Sequence, residues 1–367
     1  MAGTFFLGYA LSRGDRATAP VRLPTVVDQV REALAARYYR PVPPQVLRLA
    51  SVDEMLSALD DPYTTYLPQD AYALLRHETS GSYGGIGVSV VTGRSGLFVV
   101  STLPGPAQAA GLRAGDTIVR IDGVSAASLG PAQALAHVAG PPGTRVRLEF
   151  VRDGRVHWLS VPRADLRAPG VTGRMLEYAG RRWGELRVDA FRTGTARMLR
   201  HQLRRLRRDG AAGIVLDLRA NPGGVLREAV ATVSLFVDGG AVVTLRGLHT
   251  PEQTLRARAG VASRLPLVVL VDQGTASSAE VVAAALRDHH RAELVGRRTY
   301  GKALVQSVDP LGDGGALELT VAHYYTPDGA DISGVGLRPD VPAADRPGTP
   351  ADEALGVALH TLALPAS

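Results

Sequence analysis

The spacing of apolar residues changes twice along this 367-residue chain, at Gly81 and near Gly173. From Thr25 to about Thr79, apolar side chains recur at helical spacing. From Gly81, a glycine-rich loop opens short runs with the two-residue alternation of β-strands. Beyond Gly173, apolar strands alternate with helices, which is typical of an α/β layer architecture. The sequence therefore predicts a helical N-terminal region, a small partly open β-barrel with two helices, and a larger α/β domain.

The predicted elements lie within these regions. In the middle region we predict strands at 88–91, 97–100, 117–121, 146–150 and 156–161, with helices at 107–111 and 131–138. In the α/β region we predict strands at 183–188, 214–218, 266–271, 294–295, 304–308 and 317–325, with helices at 196–208, 226–236, 278–287 and 351–362. The domain boundaries are placed at 25–80, 81–166, 167–345 and 346–367.

Composition narrows the classes of function. A hydrophobic content of 45% with 21% charged residues is that of a folded globular protein, and the absence of cysteine excludes disulfides and thiolate chemistry. The net charge of +6 is spread along the chain, so we do not expect nucleic-acid binding.

The apolar stretch at 2–11 (AGTFFLGYAL), within the segment 1–24, is too short to span a bilayer. We interpret it as the remnant of an export signal or membrane anchor, with a short buried segment as the alternative.

One basic residue differs from the rest. Of 41 lysines and arginines only Lys302 is a lysine, and a buried lysine can lose its proton whereas arginine stays charged. Lys302 is therefore a candidate for amine chemistry, against the alternative that one lysine survived by chance.

Residues 296–303 almost match a phosphate-binding loop, but Ala303 stands where a hydroxyl is needed and a strand follows instead of a helix. We therefore do not predict a nucleotide site.

A serine lies where an apolar strand turns into a helix. Ser277 follows the glycine turn at Gly274, beside the unpaired N–H groups of a first helical turn, and such donors can stabilise an oxyanion. The alternative is a helix cap, because Ser277 and Glu280 have capping-box spacing. Ser–Lys pairs are an established variant of the serine triad, and Lys302 lies 25 residues downstream. If residues 302–306 are extended, Gln306 shares a face with Lys302 and can orient its amine.

Several motifs together resemble the carboxy-terminal processing peptidases, or tail-specific proteases. They occur in the family's order over about residues 25–362. The motifs are 59–67 (LDDPYTTYL), 85–88 (GIGV), 217–224 (DLRANPGG), 274–280 (GTASSAE), 299–302 (TYGK) with Gln306, and 324–329 (YYTPDG) through 339–340 (PD).

The resemblance implies a helical N-terminal region, an inserted PDZ domain and a crotonase-like protease core. It implies Ser277 as the nucleophile, Lys302 as the general base and Gln306 as its orienting partner. The oxyanion hole would use the backbone N–H groups of Gly223 and Ser278, with Gly224 as the alternative to Gly223. The family often has Ala-Ser after the nucleophile, whereas this chain has Ser278-Ala279, so a direct role for the Ser278 hydroxyl stays open.

Recognition of the substrate is also implied by the resemblance. The PDZ loop Gly85, Ile86, Gly87 and Val88 would offer N–H groups to the free C-terminus of a protein, whose tail would add as a strand beside the β-strand that follows this loop.

The expected function is a serine endopeptidase that cuts near protein C-termini in the periplasm or cell envelope, without metal or cofactor. The family also suggests a homodimer through the N-terminal helices, and the apolar N-terminal stretch suggests membrane association. The alternative from another class is a catalytically silent PDZ-type peptide-binding scaffold.

Overall fold

The computed structural model describes residues 24–80, 83–93, 95–102, 105–129, 134, 137–166, 170–345 and 352–364. The apolar stretch at 2–11 and most of the helix predicted at 131–138 lie outside the described residues. In the described part of the chain, no helix is both long and apolar enough to cross a membrane.

The N-terminal region packs on the larger α/β domain. It contains α1 (Val26–Arg37), a 3-10 turn (Val46–Arg48), α2 (Val52–Ser57), β1 (Thr65–Leu67) and α3 (Gln69–Ser80). Thr25 caps α1 in a reciprocal exchange with Asp28, an arrangement that satisfies backbone donors at a helix start. Buried side chains of α1 and α2 form one apolar cluster with Leu317 and Leu319 of the core. The N-terminal helices therefore bury their apolar faces on the chain's own core.

The middle region forms a small β-sheet domain. Its elements are β2 (Tyr83–Gly85), β3 (Val88–Gly93), β4 (Gly96–Thr102), α4 (Pro106–Ala109), β5 (Thr117–Ile121), β6 (Val124–Ser125), β7 (Arg145–Arg152), β8 (Arg155–Pro162) and β9 (Ala164–Leu166). The main sheet has the order β3-β4-β5-β7-β8, and β2 pairs with β9 where the chain enters and leaves the domain. The sheet closes over its own apolar cluster, which includes Ile86, Leu97 and Leu148.

The larger α/β domain, the core of the molecule, is built on a mixed six-stranded sheet. Its elements are β10 (Val171–Tyr178), β11 (Arg181–Val188), α5 (Thr195–Arg208), β12 (Ile214–Asp217), α6 (Leu226–Val233), β13 (Ala241–Arg246), β14 (Gln253–Arg256), β15 (Leu267–Val271), α7 (Ser278–Asp288), β16 (Glu293–Gly296), β17 (Leu304–Pro310), β18 (Ala316–Tyr325), β19 (Val341–Pro342) and α8 (Glu353–Ala363). The sheet order is β10-β11-β12-β15-β16-β19, parallel from β11 onward.

Helices cover both faces of this sheet. Apolar residues of α5, α6 and α7 pack on one face, and those of α8 pack on the other. A second sheet contains β1, β18, β13, β14 and β17, and it places β17 and β18 beside the end of the main sheet that carries the predicted site. The mixed α/β fold with a small β-rich domain agrees with the fold class expected from the sequence.

Candidate active site

Three loops meet at one edge of the main sheet. They follow the neighbouring parallel strands β12, β15 and β16, and they carry Gly223, Ser277 and Lys302 respectively. The carboxyl ends of adjacent parallel strands lie side by side, and loops there form the usual ligand sites of α/β sheets. The topology therefore brings together motifs separated by as many as 79 positions in the sequence.

Hydrogen bonds lock these loops to one another. The Ala276 N–H donates to the Asn221 carbonyl at 2.9 Å, and the Tyr300 N–H donates to the Thr275 carbonyl at 3.0 Å. The Thr275 hydroxyl, which is fully buried, donates to the Leu218 carbonyl at 2.8 Å. The loop that contains Ser277 is thus held from both sides.

Ser277 has a strained backbone at the start of α7. Its φ is 54° and its ψ is −124°, a region that non-glycine residues rarely adopt. A strained serine between strand and helix is also the geometry of a nucleophile elbow, which exposes the hydroxyl above a sheet. The Ser277 N–H donates to Glu280 Oε2 at 2.9 Å, as the capping-box pattern predicts. Ser277 is half-buried, so the capping hydrogen bond does not enclose it fully at this corner.

Two backbone donors lie beside Ser277. Among the described residues the N–H of Ser278, the first residue of α7, donates no hydrogen bond, and the Ser278 hydroxyl is buried without a partner. Gly223 has a φ of 102°, and a Cβ there would lie 2.8 Å from the Ser277 Cβ and 3.0 Å from the Ser278 nitrogen. Only glycine allows this close approach. In this structure the Gly223 N–H donates to Asn221 Oδ1 at 2.9 Å, while Gly224 lines the adjoining cavity.

Lys302 lies beside Ser277 at the same cavity but contacts another group. Its Nζ lies 4.7 Å from the centre of the Tyr63 ring. Within the described part of the chain, no hydrogen bond joins Lys302 Nζ to the Ser277 hydroxyl. Burial lowers the pKa of the Lys302 amine, and the Glu318 carboxylate, Tyr300 and Asp61 oppose this shift. The environment therefore favours the neutral amine that a general base requires.

Gln306 also reaches the cavity but does not contact the lysine amine. Its Nε2 donates to the Thr320 hydroxyl at 3.5 Å, a long hydrogen bond across β17 and β18. The strand register is irregular between Val305 and Gln306. Lys302 and Gln306 both line the cavity, but Lys302 precedes β17 and is not part of the extended strand on which the expected shared face depended.

The cavity, of about 420 Å³, is lined by both apolar and charged side chains. Apolar side chains come from α3, α6 and β17, and charged ones are Arg76 and Glu318. The lining includes Leu75, Leu226, Leu304, Val305, Val308, Ser277, Ser278 and Lys302. Sequence reasoning missed α3 and Glu318, because neither lies in a motif and only the tertiary fold brings them to the site.

The loop at Gly85–Val88 lies where a peptide could join the middle domain. Ile86 is buried and its carbonyl accepts the Ala107 N–H at 2.8 Å, and Gly87 has a φ of 82° that favours glycine. Among the described strands β3 pairs only with β4, so its other edge is open to an added strand.

Comparisons with known proteins identify both domains. Residues 84–162 match the PDZ domain, and residues 182–343 match peptidase family S41. The chain is 34% identical over 307 residues to a carboxyl-terminal-processing protease of Synechocystis sp., covering 82% of this chain and 72% of that protein. It is 33% identical over 320 residues to the carboxy-terminal processing protease CtpA of Bacillus subtilis, covering 86% and 68%.

A solved structure shows the same likeness. The photosystem II D1 C-terminal processing protease superposes with a TM-score of 0.57 at 29% identity, over 87% of this chain and 92% of that one. Family, domain order and fold all agree with what the sequence motifs implied. The chain therefore belongs to the carboxy-terminal processing proteases of peptidase family S41, and it is a serine peptidase with a PDZ domain.

Proposed function

We propose that Ser277 is the nucleophile of this peptidase and that Lys302 is its general base. The Ser277 oxygen attacks the scissile carbonyl while its proton passes to the neutral Lys302 amine. The ammonium then protonates the leaving amine as the C–N bond breaks. A water molecule, deprotonated in turn by Lys302, hydrolyses the acyl-enzyme. The observation that carries the proposal is the strained Ser277 at the start of α7, on the same cavity as a half-buried lysine.

We infer that the oxyanion is held by the N–H groups of Ser278 and Gly223. Ser278 supplies a first-turn donor, and Gly223 is the glycine that approaches Ser277 and Ser278 most closely. The Gly223 N–H would move from Asn221 to the developing oxyanion, which is the stronger acceptor because it is charged. Gly224 remains the alternative, because it lines the cavity.

Base catalysis also requires a side-chain movement in this proposal. Rotation about the flexible lysine stem would carry Nζ from the Tyr63 ring to the Ser277 hydroxyl. Gln306, at 3.5 Å from Thr320, would then exchange this weak hydrogen bond for one to the amine. Catalytic hydrogen bonds often tighten only in the complex with substrate.

Substrate choice is assigned to the PDZ domain. We propose that Gly85, Ile86, Gly87 and Val88 receive the free C-terminal carboxylate of a protein, and that its tail pairs with the open edge of β3. By family analogy, tail binding would also gate the active site. If a variant lacking about residues 82–165 kept wild-type substrate choice and rate, gating would be wrong.

The experiment compares two neighbouring serines. Ser277→Ala should abolish release of C-terminal fragments from an unfolded test protein, because no nucleophile remains. Ser278→Ala keeps its backbone N–H and loses only a buried hydroxyl that lacks a partner, so it should cut at the same positions. The measurement is mass spectrometry of the fragments, with melting temperatures to verify folding. Activity in Ser277→Ala with loss in Ser278→Ala would assign the nucleophile to Ser278.

Location and assembly follow from the sequence and the family. We propose export to the periplasm or cell envelope, with membrane association through the apolar stretch at 2–11. Fractionation of cells tests this location, and recovery of the full-length protein in the cytosol would contradict it.

We also propose a homodimer through the N-terminal helices. A monomer by light scattering at micromolar concentration would contradict it.

A further inference from the structure

Glu280 is a buried carboxylate that joins the two proposed catalytic segments. It is fully buried, yet both of its oxygens accept hydrogen bonds. Oε2 accepts the backbone N–H of Ser277 at 2.9 Å and that of Lys302 at 2.9 Å. Oε1 accepts the Gly301 N–H at 2.8 Å and the Thr299 hydroxyl. One carboxylate oxygen thus bridges the backbone of the serine and the backbone of the lysine.

Tyr324 makes the matching bridge through the carbonyl groups. Its ring is buried, and its hydroxyl donates to the Ser277 carbonyl at 3.0 Å and to the Lys302 carbonyl. A phenol has one hydrogen, so the two carbonyls share it in a bifurcated bond. Burial, together with the charges of Glu280 and Asp331, raises the pKa of Tyr324 and keeps it a donor.

The two bridges have a common geometry. Glu280 takes the N–H groups of Ser277 and Lys302, and Tyr324 gives its proton to the carbonyls of the same two residues. The segments are 25 positions apart in the sequence, and Tyr324 comes from a third element, β18. Their relative position is therefore set by two side chains whose hydrogen bonds to Ser277 and Lys302 go to backbone groups, and Tyr324 also lines the cavity.

We propose that Glu280 and Tyr324 form a clamp that positions the Ser277 nucleophile against the Lys302 base. The inference rests on the proposed function of these two residues. Neither clamp residue touches the reacting atoms, so both are positioning residues. A displacement of about 1 Å between catalytic groups can lower the rate about 100-fold, because the reacting atoms lose their alignment. Loss of a residue that only positions the catalytic groups is therefore expected to lower kcat more than it changes KM.

The sharpest test is Tyr324→Phe with Tyr325→Phe as the matched control. Tyr324→Phe removes only the hydroxyl that bridges the two carbonyls and keeps the ring in its core cluster. Tyr325 is the next residue of the same strand, and its ring packs under Arg246 instead. We expect Tyr324→Phe to lower kcat about 10- to 100-fold, with KM within about 2-fold of wild type. Tyr325→Phe should retain wild-type kcat.

A second measurement separates positioning from folding. The rate at which a sulfonyl fluoride modifies Ser277 reports the activation of the serine without a peptide substrate. We expect this rate to fall in Tyr324→Phe by a factor similar to that of kcat, with the melting temperature close to wild type. Glu280→Gln replaces one acceptor oxygen by an NH2 group that would face N–H donors, so it should lower both rates further.

The outcomes are distinct. Tyr324→Phe with the same kcat and labelling rate as Tyr325→Phe would overturn the clamp. So would a loss of kcat that merely follows a loss of folded protein. If Glu280→Gln fails to fold, the comparison of Tyr324→Phe with Tyr325→Phe still tests the clamp. Intact proteolysis in Ser277→Ala would instead refute the proposed function, whereas an inactive Ser277→Ala beside an unaffected Tyr324→Phe would refute the clamp alone.

Discussion

Lys302 lies in surroundings where a lysine and an arginine would differ in protonation state. Lys302 is half-buried, its amine lies over the Tyr63 ring, and the residue lines the same cavity as Ser277, in a chain that has arginine at all 40 other Lys or Arg positions. A guanidinium stays protonated in such a place, whereas an amine can lose its proton. The sequence predicted the residue and its partner, but it could not predict where the amine rests. The position of the amine depends on its contact with Tyr63, which lies between α2 and β1 in the N-terminal region, far from Lys302 in the sequence.

The charge of Glu318 gives a pH test of the base. Glu318 lines the cavity, and its carboxylate raises the pKa of Lys302 against the effect of burial. Activity needs the neutral amine, so it should increase as the pH rises through the pKa of Lys302. Glu318→Gln removes the opposing charge, so the pKa of Lys302 should fall further. We expect the acidic limb of the kcat profile to move to lower pH.

The control for this profile is Glu293→Gln. Glu293 is an exposed acid at the start of β16, away from the cavity. Its variant should keep the wild-type profile. An acidic limb that stays in place in Glu318→Gln, or moves to higher pH, would show that the titrating base is not Lys302.

At the scale of elements, a charged network links α8 to the loop that carries Gly223. Arg219 donates to Asp217 at 2.8 Å and to both oxygens of Asp352 at 2.8 and 2.9 Å. Asp352 also caps α8 by accepting the Leu355 N–H at 2.9 Å. These charge-assisted bonds dock the C-terminal helix on the sheet whose edge forms the site.

Asp352→Asn should loosen α8 while keeping its cap, because asparagine is also a good N-cap. We expect a loss of about 1 kcal/mol, modest because Asp352 is partly exposed. The Arg219 guanidinium holds the pKa of Asp352 below its ordinary value, so this stability is present above about pH 4 and is lost as the pH falls through the lowered pKa. Amide hydrogen exchange of α8 at pH 7 measures it. Unchanged exchange would show that the network does not hold the helix.

The elements also show what patterns in a sequence can and cannot reveal. Strands with continuous apolar runs, such as β12 and β15, were predicted because burial on both faces leaves a clear signal. Strand β10 was missed because most of its residues are exposed or half-buried, and β14 was missed for the same reason. Tyr324 lies in the motif at 324–329, but its proposed role could not be predicted, since that role depends on contacts of β18 with two loops that are distant in the sequence.

At the scale of the whole molecule, the chain divides into a PDZ domain and a protease core. The motif order predicted this division, and the family matches confirm both domains. The geometry between a bound tail and the cavity could not be predicted, because it depends on how a substrate chain joins two separate sites.

Binding of a free carboxylate by the PDZ loop is a prediction at this scale. A labelled peptide with a free C-terminus should bind Ser277→Ala, which cannot cut it, and the same peptide with an amidated C-terminus should bind at least about 10-fold more weakly. The reason is that the proposed carboxylate site at Gly85–Val88 would donate N–H groups to a charged acceptor, which the amide lacks. Fluorescence anisotropy measures both. Equal affinity for the two peptides would exclude carboxylate capture.

The central claim is that a neutral Lys302 amine activates Ser277, and Lys302→Arg tests it most directly. This variant keeps the positive charge and most of the aliphatic stem but removes the base. We predict that kcat/KM for an unfolded protein substrate falls by at least about 100-fold at every pH from 6 to 10, with an unchanged melting temperature. A Lys302→Arg protein that cuts within about threefold of the wild-type rate would contradict the Ser277–Lys302 dyad.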